Sequence, residues 1–412
     1  MGARPATRTL LGGQTPHRFL STHWQKQPLL VRHALPDFRG LVTPAELMRL
    51  AQSREAQARV VLRTRGHWQV REGPFSSSDF HRLPERGWTL LVHDVNNFLP
   101  QARELLSQFA FVPYARLDDL MISYAAPGGG VGPHLDSYDV FLLQGPGSRR
   151  WRIGRQADRT LIENAPLKLL RHFRPEEESV VHAGDLLYLP PEWGHDGVAL
   201  TECMTYSIGF RAPAWDELTI QFLRFLEDGV PSDGLYRDPG LQPARRPARI
   251  GNAMLEQVAR RFERIRWHER DVLRFLGGYL TEPKAHVFFT APRAALPLDE
   301  FAQQAHVNGV TLNLKSEMLY KADLFFINGE TVRISGSARD ALTRLADERQ
   351  LDGVDMNRRG LVSLLHEWYS AGYLRLRKRS SRKTGLGQAA RSPRVGSSAG
   401  GTPSQRNRRS RS

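Results

Sequence analysis

The chain of 412 residues has one cysteine, Cys203, so it cannot form an internal disulfide, and a reducing, cytoplasmic location is expected. No apolar run approaches the roughly 18 residues that a membrane-spanning helix needs. The N-terminus lacks the apolar stretch of a secretory signal. Arg4, Arg8 and Arg18 precede the first acid, Asp37, but no apolar helical face accompanies them as a transit peptide would require. No internal repeat recurs, which sets aside solenoids and propellers. Acid is missing from one end: from Arg377 to Ser412 there are eleven Lys or Arg and no Asp or Glu, so the formal charge of +15 leaves only +4 on the first 376 residues. The nucleic-acid reading that +15 invites is therefore confined to a Ser/Gly/Arg tail. That tail is expected to be disordered and to offer at most a weak, salt-sensitive attraction to nucleic acid. What is present suffices for a core: 40% hydrophobic residues, with 19 Phe, 8 Trp and 10 Tyr.

Up to about residue 215, short apolar runs are separated by Gly, Pro and Asp. They fall near 88–95, 120–126, 139–144, 151–153, 185–189 and 204–210, a spacing that predicts a β barrel or sandwich with helices such as 44–51 at its N-terminal edge. Helical periodicity follows in 216–227, in Met254, Val258, Phe262 and Ile265, and in Val272, Leu276 and Tyr279, around a Pro/Gly-rich stretch at 229–251. Between 295 and 376, helical runs accompany a hairpin signal, Asn328-Gly329 between Phe325-Phe326-Ile327 and Thr331-Val332-Arg333-Ile334, which suggests a small winged-helix-like module. The expected division is an extension at 1–17, a barrel at 18–215, a helical segment at 216–294, the winged module at 295–376 and the basic tail at 377–412.

The chemistry concentrates in two places. In Pro127-Gly-Gly-Gly-Val-Gly-Pro-His134-Leu-Asp136, a strand would place His134 and Asp136 on one face, and the glycines let backbone pass close to something. Alone, such a pair is ordinary for a surface strand. In Gly184-Asp-Leu-Leu-Tyr-Leu-Pro-Pro-Glu-Trp-Gly-His195, a buried strand ends at two prolines and a histidine follows in the loop. Together His134, Asp136 and His195 complete a two-histidine, one-carboxylate triad suited to non-haem Fe(II). Zinc is disfavoured because the lone Cys203 offers no thiolate cluster.

Such an iron site needs a reductant, and the usual one, 2-oxoglutarate, carries carboxylates that require a cation. In Arg149-Arg-Trp151-Arg-Ile153, inward Trp151 and Ile153 would carry Arg149 inward with them, and a buried guanidinium implies a carboxylate from a ligand or from the protein. Two strands present small faces: Met121, Ser123 and Ala125 in one, and Cys203, Thr205, Ser207 and Gly209 in the other. Ser123 and Thr205 are candidate co-substrate contacts, although small residues also line tightly packed barrels.

At these residues the chain resembles the bacterial JmjC-type ribosomal oxygenases, which hydroxylate an arginine of large-subunit ribosomal protein L sixteen. The likeness spans about 18–376. It rests on Arg116-Leu-Asp-Asp-Leu-Met-Ile-Ser, the glycine-rich run to Asp136, Arg-Arg-Trp-Arg, the Pro-Pro loop to His195, Tyr206-Ser-Ile-Gly-Phe-Arg-Ala-Pro213 and His23-Trp-Gln-Lys-Gln-Pro. The resemblance implies a double-stranded β-helix of cupin/JmjC type, with Fe(II) on His134, Asp136 and His195. It implies 2-oxoglutarate held by Arg149 with help from Ser123, Thr205 near it, and molecular oxygen as the third reactant. A substrate arginine would lie near Asp119, Met121, Tyr138 and Ser207 and be hydroxylated at its β-carbon. The helical segment would form a homodimer and the C-terminal module would be a winged helix. Two rivals stay open: the same chemistry on a histidine or another protein, and a non-catalytic cupin-like protein binding nucleic acid.

Overall fold

A computed structural model of the chain describes residues 5–227, 229, 234–354 and 359–377, so the expected basic tail beyond Arg377 lies outside the described residues. Numbered in chain order, the first eleven strands form two antiparallel sheets. The larger runs β1 (Leu29–Val31), β9 (Leu186–Leu189), β6 (Val140–Gln144), β11 (Cys203–Phe210), β5 (Leu117–Ala125), β4 (Trp88–Val92), β2 (Ala58–Thr64) and β3 (His67–Glu72). The smaller runs β10 (Trp193–Ala199), β7 (Ser148–Arg155) and β8 (Glu177–His182). This is the double-stranded β-helix implied by the motifs.

Alternation along β5 and β11 divides the large sheet into two unlike faces. The bulky set, Leu120, Ile122, Tyr124, Met204, Tyr206, Ile208 and Phe210, lies in one core with Phe141 and Tyr188. Helices α1 (Pro5–Leu10), α2 (Pro16–Thr22) and α3 (Pro44–Leu50) give that core Leu10, Phe19 and Leu47, all fully buried. Burying a phenylalanine such as Phe19 contributes about 1.5–3 kcal/mol, and its ring meets Phe141 and Tyr188 at 5.4 and 4.9 Å. Residues 1–17, expected as an extension, therefore supply Leu10 and Leu11 to the main core. A second core of Val140, Leu142, Trp151, Ile153, Val181, Leu187 and Leu189 lies between the sheets. The small residues of β5 and β11 share its side of the large sheet, and the site forms there.

Of the first eleven strands, β1, β2, β3, β8 and β10 had no counterpart in the sequence pattern. β2 and β3 form a hairpin through Arg65 and Gly66, both at positive φ, and much of β3 is exposed. An edge hairpin of this kind carries little apolar alternation. Two short helices, α4 (Ser77–His81) and α5 (Pro100–Ser107), flank β4 in the chain.

The helical segment contains α6 (Trp215–Glu227), α7 (Asn252–Phe262) and α8 (Glu269–Thr281). Beyond it, α9 (Leu298–Asn308), α10 (Ser337–Glu348) and α11 (Arg359–Ser370) surround two small sheets. One is β12 (Val310–Leu312) between β16 (Gln350–Leu351) and β17 (Leu374–Leu376); the other is β13 (Met318–Lys321), β14 (Leu324–Ile327) and β15 (Glu330–Arg333). Asn328 and Gly329 both take positive φ in the β14–β15 turn, as their hairpin signal requires. That hairpin lies on α8: a Cβ at Gly277 would come within 2.3 Å of the Phe326 ring, and Thr281 Oγ1 accepts the Gly329 N–H at 3.1 Å.

Candidate metal and co-substrate site

The glycine-rich run before His134 threads between strands. A Cβ at Gly129 would sit 2.1 Å from the Trp88 carbonyl oxygen, and one at Gly130 would sit 2.5 Å from that of Gly197, so backbone passes where no side chain fits. His134 then pairs with His195 through reciprocal backbone hydrogen bonds of 3.0 Å. Two expectations are corrected here. His134 and Asp136 do not share a strand; His134 forms an isolated bridge, since Pro133 has no N–H with which to extend a ladder. His195 does not follow a strand in a loop; the turn at Glu192, with φ 70°, restarts the chain as β10, and His195 is the third residue of that strand.

His134, Asp136 and His195 nevertheless converge, with one ligand atom from each within 4.8 Å of the others. They are the only such group of three among the described residues. Asp136 Oδ1 lies 3.8 Å from His134 Nε2, and its Oδ2 lies 3.5 Å from His195 Nε2. Each imidazole donates Nδ1–H to a carbonyl two residues back, His134 to Gly132 at 2.9 Å and His195 to Trp193 at 3.0 Å. Those bonds fix the tautomer and leave both Nε2 lone pairs facing the carboxylate, the arrangement a metal needs. Burial, then the neighbouring His134, push the His195 pKa down to about 4, which keeps it a neutral ligand at pH 7.

On β7 the expected alternation holds: Arg149, Trp151 and Ile153 are buried while Arg150 and Arg152 are partly exposed. Arg152 is paired with Asp196 at 2.5 Å. Arg149, only 4% exposed, has Nε and Nη2 buried with no hydrogen-bond partner, and its guanidinium carbon lies 5.6 Å from the Trp151 ring centre. Of the two sources of carboxylate left open by the sequence, the described residues of the protein supply none. A buried, unpaired guanidinium is costly, so Arg149 is built to receive an anionic ligand, and the carboxylate of 2-oxoglutarate fits that requirement.

Register brings the small faces together: Ser123 lies opposite Thr205, Met121 opposite Ser207 and Ala125 opposite Cys203. Thr205 Oγ1 donates to Gln144 Oε1 at 3.2 Å, and the Ser123 hydroxyl approaches the Thr205 carbonyl at 3.4 Å. The Thr205 hydroxyl is thus already engaged. Its partner, fully buried Gln144, escaped the sequence pattern; its signal is an amide closing the apolar run Val140–Leu143.

Of the four residues assigned to substrate by resemblance, Ser207 and Met121 lie on this small face, and Tyr138 is 39% exposed. Burial, then the charges of Asp136 and Asp119, raise the Tyr138 phenol above its ordinary pKa, so it is a neutral donor in the field of both carboxylates. Asp119 sits at a β-bulge. Leu117 pairs with Phe210 and Leu120 with Ile208, so Asp118 and Asp119 together face the single residue Gly209. Spacing alone does not reveal this, because strict alternation would put the two acids on opposite faces.

A double-stranded β-helix with a His-Asp-His cluster beside a buried, unpaired arginine defines a JmjC-type oxygenase scaffold. The JmjC domain family matches residues 104–218, and the ROXA-like winged helix family matches 264–375. The chain is 34% identical over 332 residues to the ribosomal protein uL16 3-hydroxylase of Escherichia coli, covering 80% of this chain and 87% of that protein. It is 38% identical over 232 residues to a probable ribosomal oxygenase of Haemophilus influenzae, covering 55% of each. The solved structure of the Escherichia coli ribosomal oxygenase YcfD with cobalt and 2-oxoglutarate superposes with a TM-score of 0.75 at 32% identity, covering 88% of this chain and 98% of that one. The chain belongs to the JmjC ribosomal oxygenase family.

Proposed function

We propose that this chain is a cytoplasmic Fe(II)- and 2-oxoglutarate-dependent oxygenase that hydroxylates the β-carbon of an arginine in a large-subunit ribosomal protein, ribosomal protein L sixteen. The observation that carries the reading is the convergence of His134, Asp136 and His195, with Arg149 on the strand paired to that of His195, a buried guanidinium that no carboxylate of the described residues meets. The Escherichia coli relatives, named for uL16 hydroxylation and solved with 2-oxoglutarate, support the substrate and co-substrate. Iron and 2-oxoglutarate, when bound, supply the oxidising chemistry, in which one oxygen atom of O2 enters a C–H bond and succinate and carbon dioxide are released.

The residues of the chain do the rest. His134, Asp136 and His195 hold the metal on one side and leave its other positions open. Arg149 takes the distal carboxylate of the co-substrate, with the Ser123 hydroxyl close by and Thr205 held in place by Gln144. Asp119 receives the substrate guanidinium through charge-assisted hydrogen bonds, Tyr138 lies against its plane, and Met121 and Ser207 floor the pocket.

The division into a catalytic barrel at 18–215, a helical segment at 216–294 and a winged module at 295–376 is part of the same proposal. Trp215, Leu223, Leu255 and Phe262 are exposed on α6 and α7, and a cleft of about 710 Å³ lined by Phe225, Phe262 and Ile265 together with Arg261, Arg264, Arg266 and Arg274 opens at Phe262. Exposed apolar side chains on consecutive helices suit a second copy of the chain, hence a homodimer. The basic stretch 377–412 would add a salt-sensitive attraction to ribosomal RNA. Intact-mass measurement of ribosomal proteins from cells with and without this protein tests the reading. One ribosomal protein should gain a single oxygen atom, and the gain should vanish with Asp136→Ala; no mass change on any ribosomal protein removes the substrate assignment.

A further inference from the structure

The bulge on β5 is held in place from outside the barrel. Asp119 Oδ2 accepts the Asp94 backbone N–H at 3.0 Å, and the Leu120 N–H, displaced by the bulge, donates to Asn96 Oδ1 at 2.8 Å. The short helical turn Val95–Asn97 thus clamps both sides of the bulge. Asp94, which opens that turn, is left-handed, with φ 53°. A non-glycine residue keeps such a conformation when its surroundings enforce it.

The enforcement comes from the segment after α8. Lys284 Nζ lies 2.8 Å from Asp94 Oδ1 and 3.1 Å from Asp118 Oδ1, so one ammonium bridges the turn and the bulge. His286 Nδ1 takes a hydrogen bond from the Gln57 amide at 2.9 Å, and its Nε2 lies 3.2 Å from Asp94 Oδ2 without forming a hydrogen bond to it. Burial pulls the Lys284 ammonium down, but the charges of Asp118, Asp119 and Asp94 outweigh it and hold the group above the ordinary lysine pKa. Arg211 Nε also lies 3.4 Å from Asp118 Oδ1, and His93 Nδ1 lies 3.7 Å from Asp119 Oδ2, but it is the Lys284 ammonium that joins Asp94 to Asp118. Asp119 Oδ1 receives no hydrogen bond from the described residues and lies beside Gly209, where a Cβ would stand 3.2 Å away.

We propose that Lys284 is a positioning residue for substrate. By tying Asp94 to Asp118 it locks the turn and the bulge, so that Asp119 offers Oδ1 to the cationic side chain being hydroxylated. The inference rests on the arginine-hydroxylase reading above. It predicts a specific sign, because a cation that merely competed with the substrate for these carboxylates would weaken binding, and its removal would tighten it.

The test compares wild-type protein with Lys284→Met, Lys284→Arg and His286→Gln on a peptide of the ribosomal substrate, with 2-oxoglutarate affinity measured by tryptophan fluorescence in the presence of Mn(II). Lys284→Met should raise KM for peptide on the order of tenfold, the scale of one lost charge-assisted contact. Co-substrate affinity should hold, and Lys284→Arg should restore most of the KM. His286→Gln should move KM the same way by less, and it serves as the informative variant if Lys284→Met does not fold. A KM that is unchanged or lowered overturns the positioning role while the oxygenase reading stands. Equal loss of peptide and 2-oxoglutarate affinity also overturns it, since that marks a structural role. A wild-type protein that leaves the arginine unmodified removes the functional reading and the positioning role with it.

Discussion

Arg149 on β7 and the arginine pair Arg103 and Arg349 are held in opposite ways. Among the described residues Arg149 has no acid paired with it, and two of its nitrogens are left without partners. Between α5 and the winged module, Arg103 donates to Glu317 at 2.6 Å, to the Leu314 carbonyl at 2.9 Å and to Asn97 at 3.2 Å. Arg349 adds the carbonyls of Asn313 and Ser316 at 2.9 and 2.8 Å and lies 3.7 Å from the other Glu317 oxygen. The second set is complete and joins two parts of the fold. The first is incomplete, and an incomplete buried cation marks a place where something else must bind. Counting the partners of one residue type thus separates structure from function.

The comparison can be broken or sharpened by measurement. The largest effect lies beside the unpaired arginine. Asp136→Ala should abolish metal retention and lower succinate production by more than about a thousandfold, a loss typical of removing a group essential to the chemistry. Arg149→Met comes next. Its KM for 2-oxoglutarate should rise about a hundredfold with metal binding little changed, while the ligand-free protein unfolds at the same or a higher denaturant concentration, because an unpaired buried charge has been removed. A fall in stability would show that Arg149 is a structural arginine after all.

Glu317→Ala should do the reverse: it should cost about 1.5–3 kcal/mol of unfolding free energy by removing the carboxylate that faces both guanidinium groups, with 2-oxoglutarate affinity intact. Burial pushes the Glu317 carboxyl up, but Arg103 and Arg349 outweigh it and hold it below the ordinary 4.5. A carboxylate with a depressed folded pKa contributes its stability above the unfolded value and loses it as pH falls through the folded one. Wild-type protein should therefore lose more stability below pH 4.5 than Glu317→Ala does. The smallest effect belongs to Gly277→Ala, whose Cβ would meet Phe326 at 2.3 Å. Overpacking there should cost about 1–3 kcal/mol in thermal or denaturant melts, and co-substrate affinity should be unaffected.

Much of the site was legible because strands alternate and side chains obey the period. Trp151 and Ile153 carried Arg149 inward, and the small sets of two strands predicted a cavity wall before their register placed Ser123 opposite Thr205. The Asn328-Gly329 hairpin was equally local. The bulge was not legible, since two residues against one breaks the very period used to read a strand, and it moved Asp118 to the face of Asp119. Neither was the pairing of His134 with His195, because a bridge across about sixty residues leaves no local signal. Lys284 lies 190 positions from its partner Asp94, in a segment that shows only helical periodicity.

By itself, then, the amino-acid order determined which residue types could bind a metal and a dicarboxylate, and which faces of the strands they occupy, because both depend on neighbours a few positions apart. The tertiary structure decided whether those residues meet, and whether a charge such as Arg149 or Lys284 finds its partner within the chain, because burial and Coulombic pairing are set by distances in space to which sequence separation is indifferent.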